Sequence, residues 1–144
     1  MTEIFGNIWQ YYNREFFRIL IPTNGDIKNN GCGVMGRGVA RQAVFNVPGI
    51  EYDLGNALKS RGNVVSRLTE HIYSFPTKHH WQDRSNMDLI RDSAEQLCQL
   101  LIRHKTFNWV LPRPGCGNGR LQWVVVRPVL ISLPDNLWII SIER

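Results

Sequence analysis

The chain has 144 residues, 43% of them hydrophobic, 20% charged, and a formal net charge of +5. That length suits one domain, expected over residues 1–144, and is enough to bury about two-thirds of the unfolded surface. No apolar run approaches the ~20 residues of a membrane span, and Met1-Thr2-Glu3-Ile4 has neither the basic start nor the apolar core of a signal peptide, so a cytoplasmic protein without a membrane partner is expected. The three cysteines, Cys32, Cys98 and Cys116, are odd in number and lack C-x-x-C spacing, which argues against a disulfide framework or a zinc knuckle. The basic residues are dispersed, so the charge reads as a basic surface with a local anion site, a dedicated nucleic-acid groove being the alternative.

In chain order, Thr2 to Phe5 reads as a short strand. Trp9, Tyr11, Tyr12, Phe16 and Phe17 follow closely, and core packing explains them at least as well as base stacking. Phe17 to Pro22 reads as a strand that leaves through Thr23-Asn24-Gly25 into a glycine cluster, Gly31 to Ala40. A helix is expected over Arg37 to Val47 and a second over Tyr52 to Arg61, after Pro48-Gly49. Val64 to Arg67 and His71 to Pro76 read as strands, with the one that joins the main sheet left open. Ile90, Ala94, Leu97 and Leu101 recur at helical spacing within Asn86 to Lys105, and Ser85 or Asn86 can cap that helix. Phe107 to Leu111 is a buried-strand pattern, Leu121 to Leu133 continues as a helix, and Leu137 to Ile142 closes as a strand. Alternating elements without internal repeats or linkers predict a layered α/β domain with a mixed sheet.

The chemistry is concentrated in two glycine-rich loops, each leaving a strand. The first carries Gly33, Val34, Met35, Gly36, Arg37, Gly38 and Val39; the second carries Gly115, Cys116, Gly117, Asn118, Gly119 and Arg120. Glycine lets the backbone approach a ligand and adopt positive φ, so successive N–H groups can converge on one phosphate, assisted by a following helix N-terminus. Loops leaving the carboxyl ends of strands share one crevice, so both can act on one long ligand with phosphate in its middle. Neither G-x-G-x-x-G nor G-x-x-x-x-G-K-[ST] occurs, which removes the main support for Rossmann and P-loop readings.

The segments Ile21-Pro22-Thr23-Asn24-Gly25 with Gly33 to Ala40, and Leu111 to Trp123 around Gly-Cys-Gly and Leu-Gln-Trp, resemble the macrodomain family, near the branch of terminal ADP-ribose glycohydrolases. The resemblance implies a three-layer α/β/α fold with a mixed central sheet and an ADP-ribose cleft above it; no separate cofactor is expected, and no metal, given the spacing of the cysteines and of His79-His80. It places Asn7 and Ile8, in Gly6-Asn7-Ile8, at the adenine, where the family usually carries an acid. Thr23 and Asn24 fall at the strand end that meets the distal ribose, although Asn24-Gly25 can also serve simply as a turn.

In that branch a lysine after the middle strand and an acid in the second glycine loop act on the distal ribose. Ser74-Phe75-Pro76-Thr77-Lys78 resembles the lysine segment, so Lys78 is the candidate catalytic residue. The acid's position holds Gly119, with Gly119→Asp as the corresponding rescue and positive φ at Gly119 as its expected obstacle. His79 and His80 follow Lys78, either as surface residues or as a proton relay. The resemblance therefore implies a partner that is ADP-ribose or an ADP-ribosylated macromolecule. Three functions stay open: a hydrolase of an ADP-ribose derivative, such as an ADP-ribosyl ester, a glycosidic bond or ADP-ribose 1''-phosphate; a non-catalytic nucleotide sensor; and a nucleic-acid-binding domain.

Overall fold

The computed structural model describes residues 1–142; the remaining two residues of the expected 1–144 domain lie outside the described residues. The strands are β1 (Thr2–Phe5), β2 (Phe17–Asn24), β3 (Ser66–Arg67), β4 (Ile72–Lys78), β5 (Asn108–Pro112) and β6 (Leu137–Ser141). The helices are α1 (Gly38–Asn46), α2 (Ile50–Arg61), α3 (Met87–Arg103) and α4 (Trp123–Leu130). The strands form one sheet in the order β1-β6-β5-β2-β4-β3, parallel throughout except for the antiparallel edge β3–β4.

Period-two alternation divides the core into two layers. Ile19, Ile21, Val110 and Ile140 face Ala43 of α1 and Ile50, Leu54 and Leu58 of α2. Leu20, Trp109, Leu111 and Ile139 face the opposite way, against Ile90, Leu97 and Leu101 of α3 and Val126 and Leu130 of α4. Each buried Leu or Ile contributes about 1.5–3 kcal/mol, so burial on both faces of the central strands dominates the stability of this α/β/α arrangement.

Element ends follow local chemistry. Asn86 caps α3, its side chain accepting the Leu89 N–H at 3.0 Å, so of the two candidate caps Asn86 serves. Helix α2 starts at Ile50, ahead of the expected Tyr52, because Gly49 takes a left-handed φ of 86° that reverses the chain directly after Pro48. The expected helix Leu121 to Leu133 is confined to Trp123–Leu130, with Pro128 near its end. Val64 to Arg67 contributes only the two-residue edge β3, while β4 lies inside the sheet and continues past Pro76 to Lys78.

Gly55 secures the first glycine loop to the fold. A β-carbon on Gly55 would run into the carbonyl oxygen of Gly31, so only glycine on α2 lets the loop lie directly on the helix. Among the described residues no helix is long and apolar enough to cross a membrane.

Candidate ligand-binding cleft

Parallel pairing brings the carboxyl ends of β1, β6, β5, β2 and β4 to one edge of the sheet, and the chain leaving each of them lines a cleft of about 1060 Å³. Gly6, Asn7 and Ile8 enter from β1, Thr23 and Asn24 from β2, Lys78 from β4, Pro112 and Arg113 from β5, and Ser141 and Ile142 from the end of β6. The two glycine loops face each other across it through Val34 to Val39 and Gly115 to Gly119.

A β-bulge places Asn24 beside Lys78. The β2–β4 register runs Thr23 to Pro76 and then Asn24 to Lys78, so Thr77 is the extra residue on β4. The Asn24 side chain does two jobs: its amide donates to the Val34 carbonyl at 3.0 Å, and its oxygen accepts the Asp26 N–H at 3.1 Å. It thus forms the turn and fastens the first loop to the strand end.

The first loop ends in helix α1, whose N-terminal turn opens on the cleft. Arg37 precedes it in an extended conformation and no side chain caps its first amides, which leaves backbone donors available for an anion. Gly33, expected at the ligand, does not line the cleft. It is buried, its N–H donates to the Glu51 carbonyl at 2.8 Å, and a β-carbon there would meet the Leu54 side chain. Its glycine is required by packing on α2.

In the second loop Gly115 and Gly117 have φ of 77° and 70°, the left-handed region that favours glycine. Nothing lies within 4 Å of a β-carbon on Gly117, which faces open cleft. Arg120 also adopts left-handed φ, at 65°, and does not line the cleft; its carbonyl accepts from Arg84 at 3.2 Å. The obstacle expected at Gly119 is of a different kind: its φ is not left-handed, and the limit is Ser85, whose hydroxyl stands where a side chain at 119 would go. Ser85 donates its N–H to the Gly119 carbonyl at 3.0 Å. The Ser85 and Thr23 hydroxyl oxygens are buried at the cleft with no partner among the described residues.

Lys78 reaches between the loops, its Nζ donating to the carbonyls of Trp81 at 3.3 Å and Asn118 at 3.4 Å. Desolvation pulls its pKa below the ordinary 10.5, the Arg37 and Arg120 guanidiniums pull it further, and Asp83 opposes them. The fraction present as nucleophilic free amine rises accordingly.

Neither adjacent histidine lines the cleft. His79 contributes its main-chain carbonyl, which accepts the Gly25 N–H at 3.1 Å. His80 Nδ1 lies 3.0 Å from Asp26 Oδ1, and Asp26 Oδ2 accepts the Trp81 N–H at 2.8 Å, so the carboxylate fixes the segment after Lys78. The His80 pKa is raised by the hydrogen bond and charge of Asp26. For Asp26 itself burial pushes the carboxyl up, but the bonds from His80 and the Trp81 N–H outweigh it and hold it below the ordinary 3.8.

Sequence reasoning missed Gln42, Trp81, Ser85 and Arg113, all of which line the cleft. Gln42 accepts from Trp9 Nε1 at 2.8 Å, and the Arg113 guanidinium sits 5.2 Å from the Trp123 ring centre. The isolated tryptophan in the otherwise polar run after Lys78 was the available signal for Trp81. Among the described residues no group of three or more His, Cys, Asp or Glu could hold a metal ion.

No family model matches the chain. The macrodomain of Mycobacterium tuberculosis DarG superposes with a TM-score of 0.75 at 25% identity, covering 96% of this chain and 95% of that one. The chain is a macrodomain. A DNA ADP-ribosyl glycohydrolase of Thermus aquaticus is 31% identical over 109 residues, 68% of this macrodomain and 30% of the relative. The structure of Thermosipho africanus DarTG in complex with ADP-ribose superposes with a TM-score of 0.75 at 19% identity, covering all of this chain and 43% of that one. This macrodomain therefore spans about a third of the length of the curated relatives it matches.

Proposed function

We propose that the cleft binds ADP-ribose and that Lys78 releases it from an ADP-ribosylated macromolecule. The residues 1–144 then act as one ADP-ribose-binding domain. The adenosine end lies toward Gly6-Asn7-Ile8, the diphosphate between the two glycine loops and the first turn of α1, and the distal ribose at Asn24 and Lys78. Asn7 uses its side-chain oxygen to cap the turn at the Trp9 N–H, at 3.0 Å; a carbonyl oxygen has a second lone pair, which suffices for an adenine amine.

The observation that carries the catalytic reading is the placement of Lys78: a desolvated amine beside two guanidiniums, opposite Asn24 in the sheet. In the reaction, the free amine bonds to the anomeric carbon of the distal ribose as the bond from that carbon to the macromolecule breaks. The leaving group takes the electron pair and the proton shed by Nζ, the ribose ring of the lysine adduct opens to an imine that borohydride can reduce, and water otherwise hydrolyses that imine to return the amine and free ADP-ribose. The relatives are named for glycohydrolysis on DNA, which favours a nucleobase as the leaving group and an intracellular setting.

A sensor that binds without turnover is the second reading, and Gly119 favours it, because the loop presents no acid to assist departure. Borohydride trapping separates the two. With an ADP-ribosylated oligonucleotide the reading predicts a covalent adduct, lost in Lys78→Ala together with turnover, while ADP-ribose affinity is largely retained. Turnover that survives Lys78→Ala would rule out the lysine mechanism, and no turnover by the native chain would leave the sensor.

A further inference from the structure

Trp81 is held by its main chain while its ring is left in solvent. Its N–H donates to Asp26 and its carbonyl accepts from Lys78, yet the residue is 43% exposed at the mouth of the cleft. An indole so placed gains little from burial. The Arg37 guanidinium lies 5.9 Å from the ring centre. Arg84 bonds the Arg120 carbonyl at 3.2 Å, and the charges of Arg37 and Arg120 both act on Lys78, so positive charge predominates around that lysine. Of the nearby acids, Asp26 is paired with His80, which leaves Asp83 as the counterweight.

A part-exposed indole with an arginine beside it matches the chemistry of a single nucleic-acid strand, whose bases stack and whose phosphates seek arginine. An acidic peptide would use the cations but has no need of a flat ring. We propose that Trp81, with Arg37 beside it, is the docking platform for the single strand that flanks an ADP-ribosylated base, the neighbouring base stacking on the indole. The inference rests on the reading that ADP-ribose occupies the cleft.

The test uses the full chain carrying Lys78→Arg, which removes the nucleophilic amine so that bound substrate persists and keeps a cationic donor for the Trp81 carbonyl. Affinities are measured for free ADP-ribose, an ADP-ribosylated nucleoside, the same nucleoside within a short single strand, and an ADP-ribosylated acidic peptide. The strand form is expected to bind about tenfold tighter than the nucleoside, within the range of one stacked base. Adding Trp81→Ala should reduce that ratio to about one, and Trp81→Phe should keep most of it. Because the readout is a ratio, any direct contact of Trp81 with the nucleotide cancels. A ratio of one in the parent, a ratio indifferent to Trp81→Ala, or an equal Trp81-dependent gain for the peptide would overturn the platform. Failure of free ADP-ribose to bind would instead sink the cleft assignment and this inference with it.

Discussion

Ser85 and Gly119 share one volume: the Ser85 hydroxyl occupies the place that a side chain at position 119 would take, and the Ser85 N–H binds the Gly119 carbonyl. A side chain at that loop position is therefore excluded by a neighbour from the segment just ahead of α3. Gly119→Asp alone should cost about 1–3 kcal/mol through overpacking and leave turnover unimproved. Combining it with Ser85→Gly opens the space and should raise turnover above that of either single variant. Thermal melts and single-turnover rates on the four proteins check this; a rate gain from Gly119→Asp alone would contradict the steric account.

The glycine loops make separable demands. A β-carbon on Gly36 meets nothing within 4 Å, and Gly36 lines the cleft, so Gly36→Val should keep stability within about 0.5 kcal/mol while weakening ADP-ribose binding at least tenfold. Gly33→Val should do the reverse, costing about 1–3 kcal/mol against Leu54 with a smaller effect on affinity in the protein that remains folded. Denaturant unfolding and calorimetry on both variants distinguish a ligand-facing glycine from one required by packing.

Lys78 should impose an ascending limb on the pH profile of kcat/KM, because only its free amine attacks. Desolvation, Arg37 and Arg120 place that limb below the ordinary 10.5. Removing a cation that lowers it, by Arg37→Ala, should move the limb to higher pH, whereas Asp83→Asn should move it lower. A limb that stays put in both variants would show that Lys78 is not the titrating group.

The Asp26–His80 pair has a defined pH window. The raised His80 pKa makes its contribution complete below 6.5 and lost as pH rises through the raised value. The lowered Asp26 pKa makes its contribution complete above 3.8 and lost as pH falls through the lowered value. The pair is therefore fully formed between those two ordinary values. In an NMR titration His80 should titrate above 6.5 in the native chain and return toward it in Asp26→Asn, with reduced hydrogen-exchange protection at the Trp81 amide. An unchanged His80 midpoint would remove the pair.

Continuous apolar runs made the strands around Ile19 to Ile21 and Val110 readable without coordinates, because strands buried on both faces carry no alternation, and helical spacing did the same for the helix through Ile90, Leu97 and Leu101. The glycine clusters likewise marked the two loops that line the cleft. What glycine content does not reveal is why each glycine is there: Gly36 faces the cleft, Gly33 faces Leu54, and Gly119 faces Ser85. Those reasons depend on partners distant in sequence. Trp81 and Gln42 were missed for the same cause, since only the sheet order brings the segment after β4 and the outer part of α1 to a common cleft. The bulge that sets Asn24 against Lys78 has no sequence signature beyond the length of β4.

One ligand that spans the cleft from the adenine end at Asn7 to the distal ribose at Asn24 and Lys78 is distinguished from a bound mononucleotide by calorimetric titration of the native chain with ADP-ribose and with AMP. Contacts beyond the first phosphate should make ADP-ribose bind at least tenfold more tightly than AMP, a difference of about 1.4 kcal/mol. Equal affinities for the two nucleotides would contradict the assignment of the second glycine loop, Asn24 and Lys78 to the ligand.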